Sequence, residues 1–152
     1  MSDDILSVVP TDPRWQPDEA AGQRAEEVVR GLVATLDGYV EPEFETTWSE
    51  LVQTVDCGEN LSRITCPHCA GELDVDWFRD LGDDGELTTL DVVVPCCSTA
   101  TTLDTLAYDW PCAFARFEIA VWNPSRQDFD EVDLAAVAQA LGHPVTQVRA
   151  HV

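Results

Sequence analysis

Phe114-Ala115-Arg116-Phe117-Glu118-Ile119-Ala120-Val121-Trp122 alternates with a period of two. Ala115, Phe117, Ile119 and Val121 fall on one side, Arg116 and Glu118 on the other. That is the pattern of a strand with one face on a core. Asn123-Pro124-Ser125 ends it. Residues 39–55 are also β-like: Val40, Phe44, Thr46 and Trp48 share parity, and Pro42 marks an edge or a bend. Leu51, Val52 and Val55 begin another strand or a short turn. Leu61 to Thr65 and Leu90 to Val94 read as short strands, the second with a hairpin partner at Thr99 to Leu103.

Helical patterns lie before and after these segments. Asp18 and Glu19 suit the positive end of a helix dipole, and Val28, Val29, Leu32, Val33 and Leu36 form an apolar stripe. The helix of about 18–36 ends at Asp37-Gly38, with Gly38 as a left-handed cap. A second helix of about 130–141 carries Val132, Leu134, Ala135, Val137, Ala138 and Leu141. Gly142 and then Pro144 follow it in the usual stop order. Asp74 to Leu81 is a short helix with Trp77 and Phe78. Residues 1–17, with Pro10, Pro13 and Pro17, read as an extended, irregular arm pinned by Ile5, Leu6, Val8, Val9 and Trp15. The expectation is one α+β domain over residues 1–152, a small, mainly antiparallel sheet flanked by N- and C-terminal helices.

Six cysteines stand at 57, 66, 69, 96, 97 and 112. Cys66-Pro67-His68-Cys69 places two thiols on one tight turn, where both sulfurs can face one tetrahedral metal and turn amides can hydrogen-bond the thiolates. The second pair, Cys96-Cys97 in Val94-Pro95-Cys96-Cys97, follows Cys69 after 26 intervening residues. A redox role for Cys66 and Cys69 is the weaker rival, because no βαβ pattern surrounds the pair.

These turns resemble the knuckles of the zinc-ribbon or rubredoxin-like family, which usually read Cys-Pro-x-Cys-Gly. The resemblance covers about residues 63–103 and implies a zinc-ribbon-like subdomain with a structural Zn2+ held by four thiolates. Val94 stands where the first cysteine of the second knuckle belongs, so Cys97 fills the second ligand position. Cys96 ranks first as the remaining ligand, giving Cys66, Cys69, Cys96 and Cys97. Cys57 comes second, with Cys112 and His68 behind. Over a longer stretch the chain resembles small acidic zinc-ribbon-like proteins of actinobacteria, through Asp56-Cys57-Gly58-Glu59-Asn60-Leu61, the two cysteine pairs, Tyr108-Asp109-Trp110-Pro111 and Phe114-Ala115-Arg116-Phe117. That likeness brings no activity with it.

There are 29 acidic and 8 basic side chains in 152 residues, a formal net charge of −21. Every basic residue is arginine. The acids are spread evenly, 17 in residues 1–76 and 12 in residues 77–152, so the charge belongs to the whole surface and not to a tail. Such a chain is a poor binder of nucleic-acid phosphates. This argues against the helix-turn-helix likeness of Leu134–Arg149, for which a helical hairpin closing the core is the better account. No apolar run approaches the roughly 20 residues of a membrane span, and the acidic N-terminus lacks a signal peptide's basic region. With no export signal, a cytoplasmic location in a reducing compartment is expected.

The remaining motifs favour packing over ligand binding. Tyr108-Asp109-Trp110-Pro111 reads as a packed corner rather than an aromatic platform. Asp83, Asp84 and Glu86 form a solvated loop with too few spaced oxygens for calcium. No nucleophile or phosphate-loop motif is present. The leading expectation is therefore a non-enzymatic, zinc-stabilised adaptor or protein-binding module of the bacterial cytosol. The first alternative is an acidic neutralising partner, such as an immunity protein or nucleic-acid mimic, for a basic protein. The second is a zinc-dependent enzyme.

Overall fold

The alternating stretch at 114–122 becomes the middle strand of a five-stranded sheet. The structure, a computed structural model, describes residues 3–33, 41–55, 61–82, 86–110, 112–124, 126 and 128–151. Among them the elements run β1 (Asp4–Pro10), α1 (Glu19–Val33), β2 (Glu43–Val55), β3 (Ile64–Thr65), β4 (Glu72–Leu73), α2 (Val75–Arg79), β5 (Glu86–Leu87), β6 (Asp91–Val93) and β7 (Ala100–Thr102). A 3-10 turn at Leu103–Thr105 follows, then β8 (Ala107–Tyr108), β9 (Ala113–Trp122), α3 (Glu131–Leu141) and β10 (Val145–His151). The large sheet has the order β10-β1-β9-β2-β5, and every pairing in it is antiparallel. Two smaller sheets, β4-β3-β8 and β6-β7, carry the cysteine turns.

Strand β9 pairs with β1 from Ile5↔Trp122 to Val8↔Ile119, and with β2 along most of its length. The β2 register shifts between Trp48 and Gln53, so Glu43–Val55 form one long, bulged strand. The bulge frees the Ser49 carbonyl, which accepts from Arg116 Nε at 3.2 Å and from Gln16 Nε2 at 3.0 Å. Arg116 thus spends its guanidinium on the irregularity of the neighbouring strand.

Leu6, Val8, Phe117, Ile119 and Val121 share one buried cluster with Ala25, Val29 and Val33 of α1 and Val137 and Leu141 of α3. Ala21, Ala25, Val29 and Val33 recur every four residues, and the two alanines let α1 approach closely. The Trp48 ring lies over Gly22 of α1, 5.1 Å from the Phe117 ring, and its Nε1 donates to the Pro17 carbonyl at 3.1 Å. Asp18 accepts from the Ala21 amide at 2.7 Å and caps α1. In α3, Asp130 and Asp133 form a capping box, and Gly142 closes the helix at φ 85°, in the left-handed region.

Two stretches depart from the sequence reading. Asp4–Pro10, expected in an irregular arm, is strand β1, paired on both sides. Leu6 and Val8 enter the helix-side cluster, while Val9 enters a second cluster with Phe114, Ala115 and Val148. A strand buried on both faces shows no alternation, so its apolar run looked featureless. Residues 145–151, read as a short closing strand or helix and as the second arm of the helical hairpin, form strand β10 against β1, from Asp4↔His151 to Pro10↔Val145. The pairing overrides a local helical likeness. The proposed end of the first helix at Asp37-Gly38 lies outside the described residues.

The second cluster joins the sheet to the cysteine-bearing segment through Ile64, Cys66, Leu73, Phe78, Leu90, Val94 and Leu103. Phe78 of α2 lies edge-on to Tyr108 at 5.4 Å and to Phe114 at 6.2 Å. The Tyr108 hydroxyl donates to the Leu103 carbonyl at 2.6 Å, and Asp109 accepts from the Ser62 hydroxyl and amide. Trp110 Nε1 donates to the Arg149 carbonyl at 3.1 Å. This is a packed corner; its Pro111 lies outside the described residues.

Candidate metal centre

Two turns of the same build bring the thiols together. In the first, which leads from β3 to β4, the Cys66 amide donates to the Gly71 carbonyl at 2.8 Å and the Ala70 amide to the Cys66 carbonyl at 2.9 Å. In the second, from β6 to β7, the Val94 amide donates to the Thr99 carbonyl at 3.0 Å and the Ser98 amide to the Val94 carbonyl at 2.9 Å. Ala70 and Ser98 hold the matching left-handed positions, at φ 61° and 59°. Position by position, Cys66 matches Val94, Pro67 matches Pro95, His68 matches Cys96 and Cys69 matches Cys97. The first turn therefore offers sulfurs from its first and fourth positions, and the second from its third and fourth.

All four sulfurs, from Cys66, Cys69, Cys96 and Cys97, lie within 4.8 Å of one another. The pairs Cys69–Cys96, Cys66–Cys97 and Cys96–Cys97 are 3.3, 3.9 and 4.0 Å apart. These separations exceed the roughly 2.05 Å of a disulfide. Four sulfurs each 2.3 Å from a central ion would be about 3.8 Å apart along a tetrahedron's edges. The spacings fall on both sides of that value, and thiolates suit a borderline-soft cation, so the group could hold a metal ion.

The turns also supply donors. The His68 amide donates to Cys66 Sγ at 3.4 Å and the Gly71 amide to Cys69 Sγ at 3.3 Å. Thr99 Oγ1 lies 3.1 Å from Cys97 Sγ. A Cβ at Gly71 would come within 3.0 Å of Cys69 Sγ, so that the sulfur would have to shift slightly, and would meet Cys96 Cβ of the other turn at an ordinary 3.5 Å. Thr99 and Gly71 were not among the sequence candidates. Their signal is positional: each lies two residues beyond a cysteine at the fourth place of a turn.

Two of the thiols are shifted in opposite directions. Burial acts to raise the Cys66 thiol, but the backbone amides of Cys69 and His68, with neighbouring thiols, bring it down to about 7. Burial and the surrounding sulfurs push Cys96 up to about 12. A positive ion at the centre would favour the thiolate forms that bind it.

Of the remaining sequence candidates, His68 and Cys112 are not part of this group. The ring of His68 is not among the clustered donors, although its amide serves Cys66. Cys112 lines a cavity of about 270 Å³ with Asp104, Leu106, Tyr108 and Phe114. Cys57 lies outside the described residues, as do Asp83 and Asp84. No helix among the described residues is long and apolar enough to cross a membrane. No protein-family model, curated protein or solved structure matches the chain.

Proposed function

We propose that the chain is a zinc-stabilised, non-enzymatic adaptor or protein-binding module working in the reducing cytosol. One structural Zn2+ would be held by Cys66, Cys69, Cys96 and Cys97. The observation that carries this reading is the four-sulfur group, whose separations scatter around a tetrahedral edge. Four thiolate ligands close a zinc site, whereas a catalytic zinc keeps an open position, usually among His or carboxylate ligands. Zinc would tie β3-β4 to β6-β7, two small hairpins that share few strand partners and gain most from a covalent-like clamp. The test is metal content combined with chelation. One zinc per chain is expected, with a thiolate-to-metal band on cobalt substitution. Removing the metal should lower the melting temperature by about 10 °C or more, as each kcal/mol moves it by about 2–4 °C at this size. A metal-free chain with an unchanged melting temperature would overturn the reading.

A second reading, an acidic partner that covers a basic protein, draws on where the arginines go. Arg126 donates to the Asp128 and Leu32 carbonyls and pairs with Asp133 at 2.6 Å. Arg116 donates to Ser49 and Arg14 carbonyls, and Arg30 lies over the Phe44 ring. With 29 acidic side chains against 8 arginines, the excess negative charge would steer a basic partner. Capture from a lysate at low and high salt tests it: a strongly basic, salt-sensitive partner is expected, and recovery of none would count against it.

A further inference from the structure

We propose that Cys96 is the reactive ligand of this centre, the sulfur at which a peroxide attacks and through which the metal is released. The inference rests on the four-thiolate reading above. Cys66 is buried, while Cys69, Cys96 and Cys97 are exposed. The exposed three differ in their hydrogen bonds. Cys69 Sγ accepts from the Gly71 amide, and Cys97 Sγ meets the Thr99 hydroxyl. Among the described residues the hydrogen-bond-range contacts of Cys96 Sγ are with other sulfurs, Cys69 at 3.3 Å and Cys97 at 4.0 Å, and Cys66 belongs to the same group.

The turn explains the difference. The amide two residues beyond Cys66 and the amide two residues beyond Cys69 both point at the preceding sulfur. The amide two residues beyond Cys96 belongs to Ser98 and is committed to the Val94 carbonyl at 2.9 Å. Cys96 sits at the third position of its turn, which no turn amide serves. In the metal-bound centre, where all four sulfurs are held as thiolates, hydrogen bonds draw electron density from a thiolate and blunt it as a nucleophile; exposure and the lack of such a bond favour oxidation. Cys96 combines both.

The chemistry needs a peroxide as oxidant and nothing else. The Cys96 thiolate attacks one peroxide oxygen, forming an S–O bond, breaking the O–O bond and releasing hydroxide. The Cys69 thiolate, 3.3 Å away, then attacks the Cys96 sulfur. An S–S bond forms, the S–O bond breaks, and a second hydroxide leaves, so two thiolates and one hydrogen peroxide give one disulfide and two hydroxide ions. Two sulfurs have lost one electron each and the peroxide has gained two. The metal keeps two of four ligands and dissociates. Cys97 is the poorer partner, because a disulfide between adjacent residues closes a strained ring.

The experiment uses the zinc-loaded full chain and limiting hydrogen peroxide, with zinc release followed by a chelating dye and the disulfides mapped by mass spectrometry. The expected result is about one zinc released per peroxide consumed and a Cys69–Cys96 linkage. Because removing Cys96 also removes a ligand, the double substitution V94C/C96S provides the comparison, moving the fourth thiol to the buried first position. It should keep zinc and release it at least about tenfold more slowly. Zinc that stays bound under peroxide, linkage through Cys66 or only between Cys96 and Cys97, or equal rates in the two proteins would overturn the proposal. A chain that never takes zinc fails the four-thiolate reading itself, and this proposal with it. A zinc-loaded chain indifferent to peroxide leaves that reading standing and overturns only this one.

Discussion

Val94 occupies in the second cysteine turn the place that Cys66 occupies in the first. Both are fully buried, and both are bracketed by the same pair of backbone hydrogen bonds. The second turn thus keeps the shape of a metal knuckle while its first ligand is a hydrocarbon, and Cys96 makes up the number from a position that His68 fills in the first turn.

That equivalence predicts a rescue. Cys96→Ser alone should weaken zinc binding by more than about a hundredfold, since loss of even outer-shell partners costs about 10–100-fold. Adding Val94→Cys should restore one metal per chain, because the backbone already presents that position as it presents Cys66. Competition with a chromophoric chelator measures both. Failure of the double variant to regain binding would show that the two turns are alike in backbone only.

Gly22→Ala should destabilise the fold although it improves helix propensity. A Cβ there would collide with the Trp48 ring and come within 3.1 Å of Phe117 Cε1. Trp48 cannot easily retreat, since its Nε1 is tied to the Pro17 carbonyl. The overpacking cost of about 1–3 kcal/mol should exceed the roughly 1 kcal/mol gained over glycine. Urea unfolding reads the difference; an unchanged or higher midpoint would contradict it.

Gln147 of β10 ties down the segment that leads into α3. Its side chain accepts from the Phe129 amide and donates to the Phe129 carbonyl, both at 2.8 Å. Gln147→Ala should cost about 1–2 kcal/mol by leaving both groups without that partner. Faster hydrogen exchange at the Phe129 amide is the local readout, and unchanged exchange there would sink the assignment.

What was legible in the sequence was local. The alternation of residues 114–122 is a property of one strand with a helix-covered face, and the thiol pairs lie within turns of four residues. What was not legible depends on distant chain. Leu6, Ser7, Val8 and Val9 became a strand because β9 and β10 pair with them from the far end of the sequence. Residues 145–151 followed β1 for the same reason. Cys96 had to be ranked among four candidates because its nearest sulfur belongs to Cys69, 27 positions away. The donors to the sulfurs, from Gly71 and Thr99, become visible only once the backbone of each turn is fixed.

Glu118 supplies a pH dependence separate from the thiols. It faces away from the helix-side cluster, and its Oε2 accepts from the Ser7 hydroxyl at 2.6 Å. Burial raises its carboxyl above the usual range; the Ser7 hydrogen bond opposes this and the nearby Glu45 charge adds to it. A folded-state value above the unfolded one means that the folded protein holds the proton more tightly. The resulting stability is fully present below the unfolded carboxyl range and is lost as pH rises through the folded value. Glu118→Gln keeps an acceptor for Ser7 and removes the titration. The variant should therefore be more stable than the parent at pH 7, with the difference shrinking on acidification toward and below the usual glutamate range. Unfolding both proteins in urea from pH 4 to 8 and comparing them at each pH cancels contributions common to the two. A variant less stable than the parent at neutral pH, or a difference that grows on acidification, would mean that the charged carboxylate is the form the fold prefers.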